Sequence, residues 1–592
     1  MSKDKYQEFL ISTNKMTNEY KEKDNRLSKL RLVFFLLALL FIAFTFFMSR
    51  IKILFWILAD IMIIVFIFLI VVHRRVSSKL NYYLLKEEVI KEYIDRFSDE
   101  WHNFKEDGLE YEKKDNKSIL SDLDIIGKES LYKFLCIAKT KEGKNKLINS
   151  LSNQKLNDDE LLKKQNAVKN IIENTDFSID FQVALKEYDN NFEKASLSYI
   201  RSELGKTYNK KILPLIINII LTITTYLTLI CLKFNTTLGL SLFISFMLIN
   251  FFYGKIYARC HNEEATLINE LSVLYKLYSP MIKSIQSANF NDELLYKYQY
   301  CVLEFDNKKD KMIREFSSYK SYQNNFLASL IVNGLFPFTT FELLRFNNFI
   351  NLNKKLLLII PDTISNFEEL GSLAIIGQVK ENWVMPTLSE KSKIDFENLT
   401  HPLINENKVV ANSFHTGCET TIITGSNMSG KTSFLRTIGI NLILMQAGTA
   451  VTATKFSAGY FKIFTSMRIT DDISKGISSF YRELLRIKEA IDYAKTTEPM
   501  IALIDEVFRG TNANDRIAGA IEMIKFLQLK NVVLMITTHD QQLCTIENVK
   551  LHNYYFSEYY EDNQIKFDYK IKEGICPTTN AKYLMKLAGI IK

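Results

Sequence analysis

The chain has 592 residues, and at roughly 100–200 residues per domain this length predicts about three to five structural units. It is 47% hydrophobic and 24% charged, with 20 glycines and 8 prolines, which excludes a wholly disordered, collagen-like or proline-rich protein. The formal net charge of +8 argues only weakly for an anionic partner. The 7 cysteines are scattered without a CxxC pair, which argues against a disulfide framework or a zinc site and indicates a reducing compartment.

Two pairs of long apolar segments predict two tight transmembrane hairpins. The predicted spans are residues 32–49 and 53–72 in a first hairpin (31–73), and residues 212–232 and 234–253 in a second (212–253). Asp60 is the one formally charged residue within these four spans. Two long segments back to back do not fit a cleaved signal peptide, which has a single shorter apolar core.

Basic residues near the spans predict their orientation. Thirteen of them border the long segments, whereas three lie at the two hairpin turns. The thirteen are Lys21, Lys23, Arg26, Lys29, Arg31, Arg74, Arg75, Lys79, Lys206, Lys210, Lys211, Lys255 and Arg259; the three are Arg50, Lys52 and Lys233. The positive-inside rule therefore predicts a multi-pass protein of the cell membrane with both termini in the cytoplasm.

Asp60 and a fifth apolar run each have two interpretations. A central Asp costs about 2.5–3.5 kcal/mol on insertion scales, so Asp60 could be a proton or ion site. No second acid or base accompanies it in the spans, and we expect shielding by a neighbouring helix or the turn arginine instead. Residues 326–341 form a fifth apolar run, but they contain Pro337 and would span only about 24 Å as a helix. We expect a buried core helix there.

The remaining segments predict a helical region followed by an α/β domain. A polar lead-in (1–30) precedes the first hairpin, and helical segments follow each hairpin (74–211 and 254–390), with apolar residues at helical spacing. From residue 391 to 592, short β-rich runs alternate with helices, which predicts a parallel sheet covered by helices. The predicted strands are residues 420–424, 500–504 and 532–537; the helices are 431–445 and 514–527; a hairpin pairs 554–560 with 565–571.

Residues 425–432 match the phosphate-binding pattern GxxxxGK[ST] between a predicted strand and helix. Backbone N–H groups at such a helix start point at phosphates, Lys431 would reach the β- and γ-phosphates of ATP, and the Thr432 hydroxyl would bind Mg²⁺. The flanking elements disfavour an ordinary glycine turn. The expected nucleotide-binding residues are Gly425, Ser426, Asn427, Met428, Ser429, Gly430, Lys431, Thr432 and Ser433.

Two strand ends supply the expected catalytic groups. An apolar strand delivers Asp505 and Glu506 at its carboxyl end, where α/β sheets bind ligands. Asp505 would hold Mg²⁺ directly or through water, and Glu506 would be the general base for the attacking water. His539 ends the next strand and could contact the γ-phosphate or that water. The alternative for Asp505 and Glu506 is a solvated strand end, and the alternative for His539 is a structural histidine. The phosphate loop earlier in the chain favours the catalytic roles over both.

These motifs resemble those of the MutS mismatch-repair ATPases. Residues 425–436 (GSNMSGKTSFLR) are similar to that family's phosphate loop, and residues 505–511 (DEVFRGT) to its acidic motif. Residues 471–483 (DDISKGISSFYRE) resemble its signature segment, and residues 567–589 its closing hairpin and helix. A weaker likeness covers residues 115–200 and 260–400. The chain best resembles a membrane-inserted MutS-like subfamily without the N-terminal mismatch-reading domain.

The resemblance implies an ABC-like P-loop NTPase domain (391–592), preceded by a helical core or lever region that two transmembrane hairpins interrupt. It implies Mg²⁺-dependent ATP hydrolysis in a homodimer, with Ser478 reaching the γ-phosphate of the other subunit and Phe480 and Glu483 at the remaining signature positions. The local pattern alone favours a helix N-cap for Ser478, and the resemblance is what favours the contact across the dimer. The family also implies binding of mismatched or structured DNA, although no basic stripe with interleaved aromatic residues stands out.

Two other functions remain open at this point. An ABC-type transporter would also combine an ATPase with membrane helices, but that family has glycine where Met428 stands, and its LSGGQ-like signature is absent. A membrane scaffold could use ATP only as a conformational switch. Measured ATP turnover separates the scaffold from the enzyme.

Overall fold

The structure is a computed structural model that describes residues 3–47, 51–111, 117–152, 156–191, 196–206, 212–306, 325–389, 393–417, 419–426, 428–467, 479–496, 498–508, 511–529, 531–561 and 564–576. The chain forms two compact units, one made of Met1–Val183 with Glu368–Lys592 and the other of Ala184–Phe367.

The helices are α1 (Lys3–Phe47), α2 (Lys52–Arg96), α3 (Lys117–Asp122), α4 (Leu131–Leu135), α5 (Lys141–Ser150), α6 (Asp158–Glu173), α7 (Thr175–Asp189), α8 (Leu197–Gly205), α9 (Leu213–Leu227), α10 (Thr236–Cys260), α11 (Asn262–Ser287), α12 (described over 293–306), α13 (Phe326–Leu335), α14 (Phe338–Val379), α15 (Lys431–Gln446), α16 (Ser479–Ala494) and α17 (Ala513–Leu527). The strands are β1 (Thr387–Leu388), β2 (Ile394–Leu399), β3 (Asn412–Thr416), β4 (Thr420–Thr424), β5 (Lys455–Ala458), β6 (Lys462–Ser466), β7 (Met500–Asp505), β8 (Val532–Thr538), β9 (Leu551–Tyr555), β10 (Glu558–Glu561), β11 (Gln564–Phe567) and β12 (Lys572–Glu573).

The first unit begins with α1 and α2, which pack as a long antiparallel pair. Tyr6 stacks on Tyr93 at one end, with ring centroids 4.7 Å apart, and Phe44 stacks on Phe55 near the other, at 5.4 Å. The lead-in predicted over residues 1–30 is therefore the first part of α1. By length and composition, four helical segments of the described part could cross a membrane: α1, α2, Leu213–Lys233 and α10.

Charged side chains pair at the level where the predicted spans of α1 and α2 begin and end. His73 Nε2 lies 2.9 Å from Asp24 Oδ1, and Arg31 contacts the other ring nitrogen of His73. Asp60 is exposed on α2, so the expected shielding by a neighbouring helix of this chain is wrong. Arg50, the alternative shield, lies outside the described residues.

The shorter helices of the first unit begin at side-chain caps. Ser130, Thr140 and Asn157 each accept a backbone N–H bond in the first turn of α4, α5 and α6, which satisfies donors that a helix start leaves unpaired. This helical architecture confirms what the spacing of apolar residues predicts for the segment after the first hairpin.

The second unit contains a helix bundle whose burial pattern is inverted. Apolar side chains of α9 and α10 face outward, for example Ile220 (56% exposed) and Phe252 (57%), whereas Asn218 and Asn250 are buried. The expectation of a buried helix over residues 326–341 is wrong. Two helices, α13 and α14, meet there at 87°, and Phe326, Leu327 and Ile331 of α13 are exposed.

The carboxyl-terminal region is a mixed α/β structure, as predicted. Its main sheet has the order β12-β9-β4-β8-β7-β6, with β4, β6, β7, β8 and β9 parallel and β12 antiparallel to β9. All six residues of β7 and all seven of β8 are buried, as expected for central strands of a covered parallel sheet. A second sheet has the order β1-β5-β2-β3.

The predicted hairpin near the end of the chain needs a correction. Tyr554 and Tyr555 belong to β9 and pair in parallel with Ile423 and Thr424 of the main sheet. The hairpin is the shorter pair β10 and β11, which begins only at Glu558. The apolar run through residues 554–560 contains two elements, because the chain leaves the sheet between β9 and β10.

Candidate functional site

The turn from β4 into α15 is shaped by two glycines in the left-handed backbone region. Gly425 has a φ of +147°, and a Cβ atom there would lie 2.6 Å from the carbonyl oxygen of Phe556. Gly430 has a φ of +105° and immediately precedes Lys431, the first residue of α15. Other residue types would clash at the first position and be strained at the second, so the loop conformation requires glycine at both ends.

Lys431 is buried inside the curve of this loop. Its Nζ atom donates hydrogen bonds to the carbonyl oxygens of Gly425 (2.8 Å) and Ser426 (2.9 Å) and lies 3.4 Å from Nε2 of His539. The side chain is only 5% exposed. The loop therefore holds an ammonium group at a fixed place beside the first turn of α15.

Asp505, the last residue of β7, lies beside the same helix start. The Thr432 hydroxyl lies 3.0 Å from both carboxylate oxygens of Asp505, and Thr537 donates to Oδ1 at 2.5 Å. Asp505 is paired with Thr537 in the β7–β8 register. A hydroxyl and a carboxylate are thus brought together at the carboxyl edge of the sheet.

Glu506 and His539 form an adjacent pair. Glu506 Oε1 lies 3.0 Å from His539 Nε2, and both side chains are partly exposed. Glu506 and Phe508 have φ angles of +54° and +56°, a strained conformation for residues other than glycine that is found preferentially at functional sites. The next residue along, Asp540, is fixed by a two-pronged ion pair with Arg516, with both N–O distances 3.0 Å.

The structure brings most predicted site residues to the carboxyl edge of the main sheet, but some of them are exposed or lie outside the described residues. Met428 is 84% exposed, and Ser433 is exposed on α15. Asn427 and Ser478 lie outside the described residues. Phe480 packs on Phe508 with ring centroids 6.0 Å apart.

Glu483 connects the signature segment to the acidic motif within one chain. It is 1% exposed, and its Oε1 atom accepts the backbone N–H of Phe508 at 2.7 Å. Glu483 and Phe480 therefore both contact Phe508, which lies two positions after Glu506. In this chain they support the backbone that presents Glu506.

Two residues of the site belong to none of the sequence motifs. Thr537 bonds Asp505, and its position opposite Asp505 follows once the two parallel strand ends are aligned. Glu558 accepts a hydrogen bond from the Ser426 hydroxyl at 2.5 Å. No local sequence signal points to Glu558, because its position depends on where the β10–β11 hairpin begins.

Buried polar groups fix the helix that carries the loop. Arg436 of α15 lies 3.2 Å from Asp124, and the Asn441 side chain donates to the carbonyl oxygen of Thr400. Burial, together with the nearby charges of Arg436 and Lys380, lowers the pKa of His401 to about 3. That imidazole is neutral at physiological pH, and its Nδ1 atom accepts the backbone N–H of Leu403 at 3.3 Å.

The arrangement has three chemical capacities. A buried ammonium beside backbone N–H groups at a helix start favours an anion. Hydroxyl and carboxylate oxygens suit a hard cation such as Mg²⁺, which needs few protein ligands. A carboxylate beside an imidazole can accept a proton. Within the described ranges no group of three or more His, Cys, Asp or Glu side chains could hold a metal ion, so a richer all-protein metal cage is not found there.

Fold and site thus define the carboxyl-terminal region as an α/β domain with one polar site on the carboxyl edge of its parallel sheet. The family model for MutS domain V matches residues 421–592, which include that site. The likeness to the MutS family therefore lies in this carboxyl-terminal region of the chain.

Three curated relatives carry the name DNA mismatch repair protein MutS. The chain is 32% identical to the protein of Staphylococcus epidermidis over 237 residues, 38% of the chain and 27% of the relative. It is 30% identical to that of Streptococcus equi subsp. equi over 241 residues (39% and 28%), and 31% identical to that of Persephonella marina over 241 residues (38% and 27%). The chain thus spans little more than a quarter of the length of these relatives.

Proposed function

We propose that the chain is a membrane-anchored ATPase that hydrolyses ATP at the carboxyl edge of its sheet. The observation that carries this proposal is that the Lys431 ammonium, the Thr432–Asp505 pair and the Glu506–His539 pair lie together around the loop that precedes α15. This is the donor set that a P-loop NTPase needs for the phosphates, the metal ion and the attacking water.

Each group has a distinct part in the proposed reaction. Lys431 binds the β- and γ-phosphates by charge, and Thr432 and Asp505 hold Mg²⁺. The Mg²⁺ ion, when bound, neutralises charge that develops on the phosphate oxygens. Glu506 accepts the proton of the attacking water, and His539 orients the Glu506 carboxylate through their contact.

Two substitutions test the assignment, because they remove different steps. Lys431→Ala should weaken nucleotide binding by removing a charge that contacts phosphate. Glu506→Gln should leave binding intact and lower hydrolysis about 10²–10⁴-fold, because the base is lost while the fold and metal ligands remain. Glu489→Gln, an exposed residue of α16, is the control for the same change of charge. Wild-type hydrolysis by Glu506→Gln would overturn the general-base assignment.

We propose further that both apolar hairpins span the cell membrane, with both termini and the ATPase domain in the cytoplasm. The basis is the apolar length of the four helical segments together with the distribution of Lys and Arg. In a background without other reactive cysteines, Ile51→Cys should be labelled by an impermeant thiol reagent from outside intact cells. Cys260, which is exposed, should be labelled only after the membrane is opened. Labelling of Ile51→Cys from the cytoplasm alone would contradict the topology.

The site is proposed to work as a homodimer in which Ser478 contacts the γ-phosphate bound to the partner. Mixing Lys431→Ala with Ser478→Ala chains tests this arrangement. A contact across subunits leaves one composite site with both defects and the other with neither, so a mixed dimer recovers up to about half of wild-type hydrolysis. A contact within one subunit gives no recovery in confirmed mixed dimers.

A second proposed activity is ATP-dependent binding of mismatched or structured DNA, because the named relatives are DNA mismatch repair proteins. Binding by the detergent-purified chain should weaken with rising salt and change on ATP addition, since phosphate contacts release counterions.

Nucleotide binding without turnover would favour the membrane scaffold over the ATPase. ATP-driven movement of a solute across vesicles would favour the transporter.

A further inference from the structure

Helix α13 is built with its polar side inward. Its buried residues are Ser329, Asn333 and Gly334, whereas Phe326 (65%), Leu327 (68%) and Ile331 (55%) are exposed. No Asp, Glu, Lys or Arg occurs from residue 325 to residue 341. A surface helix in water shows the opposite arrangement, with its apolar stripe on the core.

The polar side of α13 is matched to the second hairpin. The Asn250 amide of α10 donates to the carbonyl oxygen of Gly334 (3.2 Å) and to the hydroxyl of Thr222 (2.9 Å) in α9. Asn218 of α9 donates to the Thr340 hydroxyl at the start of α14 (2.9 Å). Side-chain amides and hydroxyls thus join α9, α10 and the bend between α13 and α14, as expected for helices that pack within a bilayer.

The contacts also fix the depth of α13. A Cβ atom on Gly254 would meet the Asn333 side chain at 3.4 Å, and one on Gly334 would meet Met247 at 2.6 Å. Met247 lies eight residues before Lys255, the basic residue that follows the predicted span. At 1.5 Å per residue, α13 crosses α10 within about 12 Å of the charged end of that helix.

The chain returns to the side from which it entered. Tyr275 of α11 contacts Phe305, which precedes α13, with ring centroids 4.6 Å apart. The Tyr275 hydroxyl also donates to the carbonyl oxygen of Leu357, which follows the bend, at 3.4 Å. Because α13 has ten residues and is about 15 Å long, it is too short to cross a hydrocarbon core of about 30 Å.

We propose that α13 and the bend into α14 form a re-entrant wedge in the cytoplasmic leaflet, with the exposed side chains of α13 in contact with lipid acyl chains. The apolar surface is continuous with the second hairpin, because Phe326 packs on Phe251 (5.7 Å), next to the exposed Phe252. The depth matches the boundary where in-plane helices bury their apolar face. This inference rests on the proposed membrane location of the second hairpin.

Quenching of tryptophan fluorescence by brominated phosphatidylcholine tests the wedge in reconstituted vesicles. The parent is the full chain with Trp56→Phe, since Trp56 is itself exposed on a predicted span, and its residual fluorescence is subtracted. Ile331→Trp reports on α13, and Leu327→Trp repeats the test at a second position. Phe252→Trp on α10 (57% exposed) and Tyr296→Trp on α12 (62%) are controls of similar exposure for lipid and for water.

The wedge predicts that Ile331→Trp is quenched at least about half as strongly as Phe252→Trp, and more by bromine near the headgroup than by bromine near the chain end. If Phe252→Trp is quenched while Ile331→Trp and Leu327→Trp are not, the wedge is overturned. The membrane location of the second hairpin still stands in that case. Tyr296→Trp sets the level expected without quenching. Absence of quenching at all four positions overturns both. Oxidative cross-linking of Ile331→Cys between chains in vesicles would show a second copy on this face instead of lipid, and would also overturn it.

Discussion

The parallel sheet of the first unit and the helix bundle of the second use the same apolar residue types with opposite burial. In β7 and β8, Ile501, Leu503 and Ile536 are fully or almost fully buried, and the polar groups collect at the strand ends. In the bundle, Ile220 and Phe252 face outward while Asn250 is completely buried. Under the proposed membrane location, burial follows the solvent of each region: water drives apolar side chains inward, and lipid removes that drive.

The largest expected effect comes from the polar end of β7. Asp505→Asn should lower ATP hydrolysis at least about 100-fold, because the amide carries no charge for Mg²⁺. The thermal unfolding temperature should change little, since the apolar residues of the strand are untouched. Asp492→Asn, half-exposed on α16, is the control. Steady-state turnover against Mg²⁺ concentration provides the measurement, and unchanged turnover would remove Asp505 from the metal site.

A second prediction compares isoleucines from the two regions. Ile536→Ala in β8 should lower the free energy of unfolding by about 2–5 kcal/mol, because a cavity is left in a packed core. Ile220→Ala on the outer face of α9 should cost close to nothing in detergent, which replaces the lost contacts. Denaturant unfolding of both variants checks the difference, and equal costs would contradict the inverted burial of the bundle.

A third prediction concerns Glu368, a polar residue that is buried in the first unit. Burial raises its pKa to about 7, although Thr140 and the backbone N–H groups of Lys139 and Thr140 donate to the carboxylate. The folded chain thus holds this proton more tightly than the unfolded chain. Stability from this group is full below about pH 4.5 and is lost as the pH rises towards 7.

The loss should be on the order of 3 kcal/mol across that range. Glu368→Gln should flatten the profile of unfolding free energy against pH, whereas the exposed Glu381→Gln should leave its slope unchanged. A profile that keeps its slope in Glu368→Gln would assign the pH dependence to other groups.

The smallest expected effect lies inside the bundle. Thr222 and Thr224 both donate to a backbone carbonyl oxygen four residues earlier, but only Thr222 accepts a bond from Asn250 in the described structure. Thr222→Val should therefore cost about 1 kcal/mol more than Thr224→Val in unfolding free energy. Equal costs would mean that the Asn250 amide finds another partner in lipid or detergent.

Local pattern was enough to predict the α/β region and the residues around Lys431. A strand, a glycine-bordered turn and a helix follow one another within about thirty residues, and the strand ends carrying Asp505 and His539 align through parallel pairing. The burial of residues 326–341 was harder to predict, because an apolar run has the same composition whether it faces a core or lipid. Only the burial of Ser329 and Asn333 separates the two. The contact from Ser426 to Glu558 is likewise invisible, since it joins residues 132 positions apart.

The length of α1 and α2 has a mechanical consequence. Each helix has 45 residues and is about 68 Å long, more than twice the hydrocarbon thickness of a bilayer. Neither contains proline or glycine, the usual causes of a kink, and near one end both Tyr6 and Tyr93 donate a hydrogen bond to Gln378 of the first unit. The pair is a stiff rod, so a tilt of about 10° at the end that contacts Gln378 displaces the far end by about 12 Å at this length.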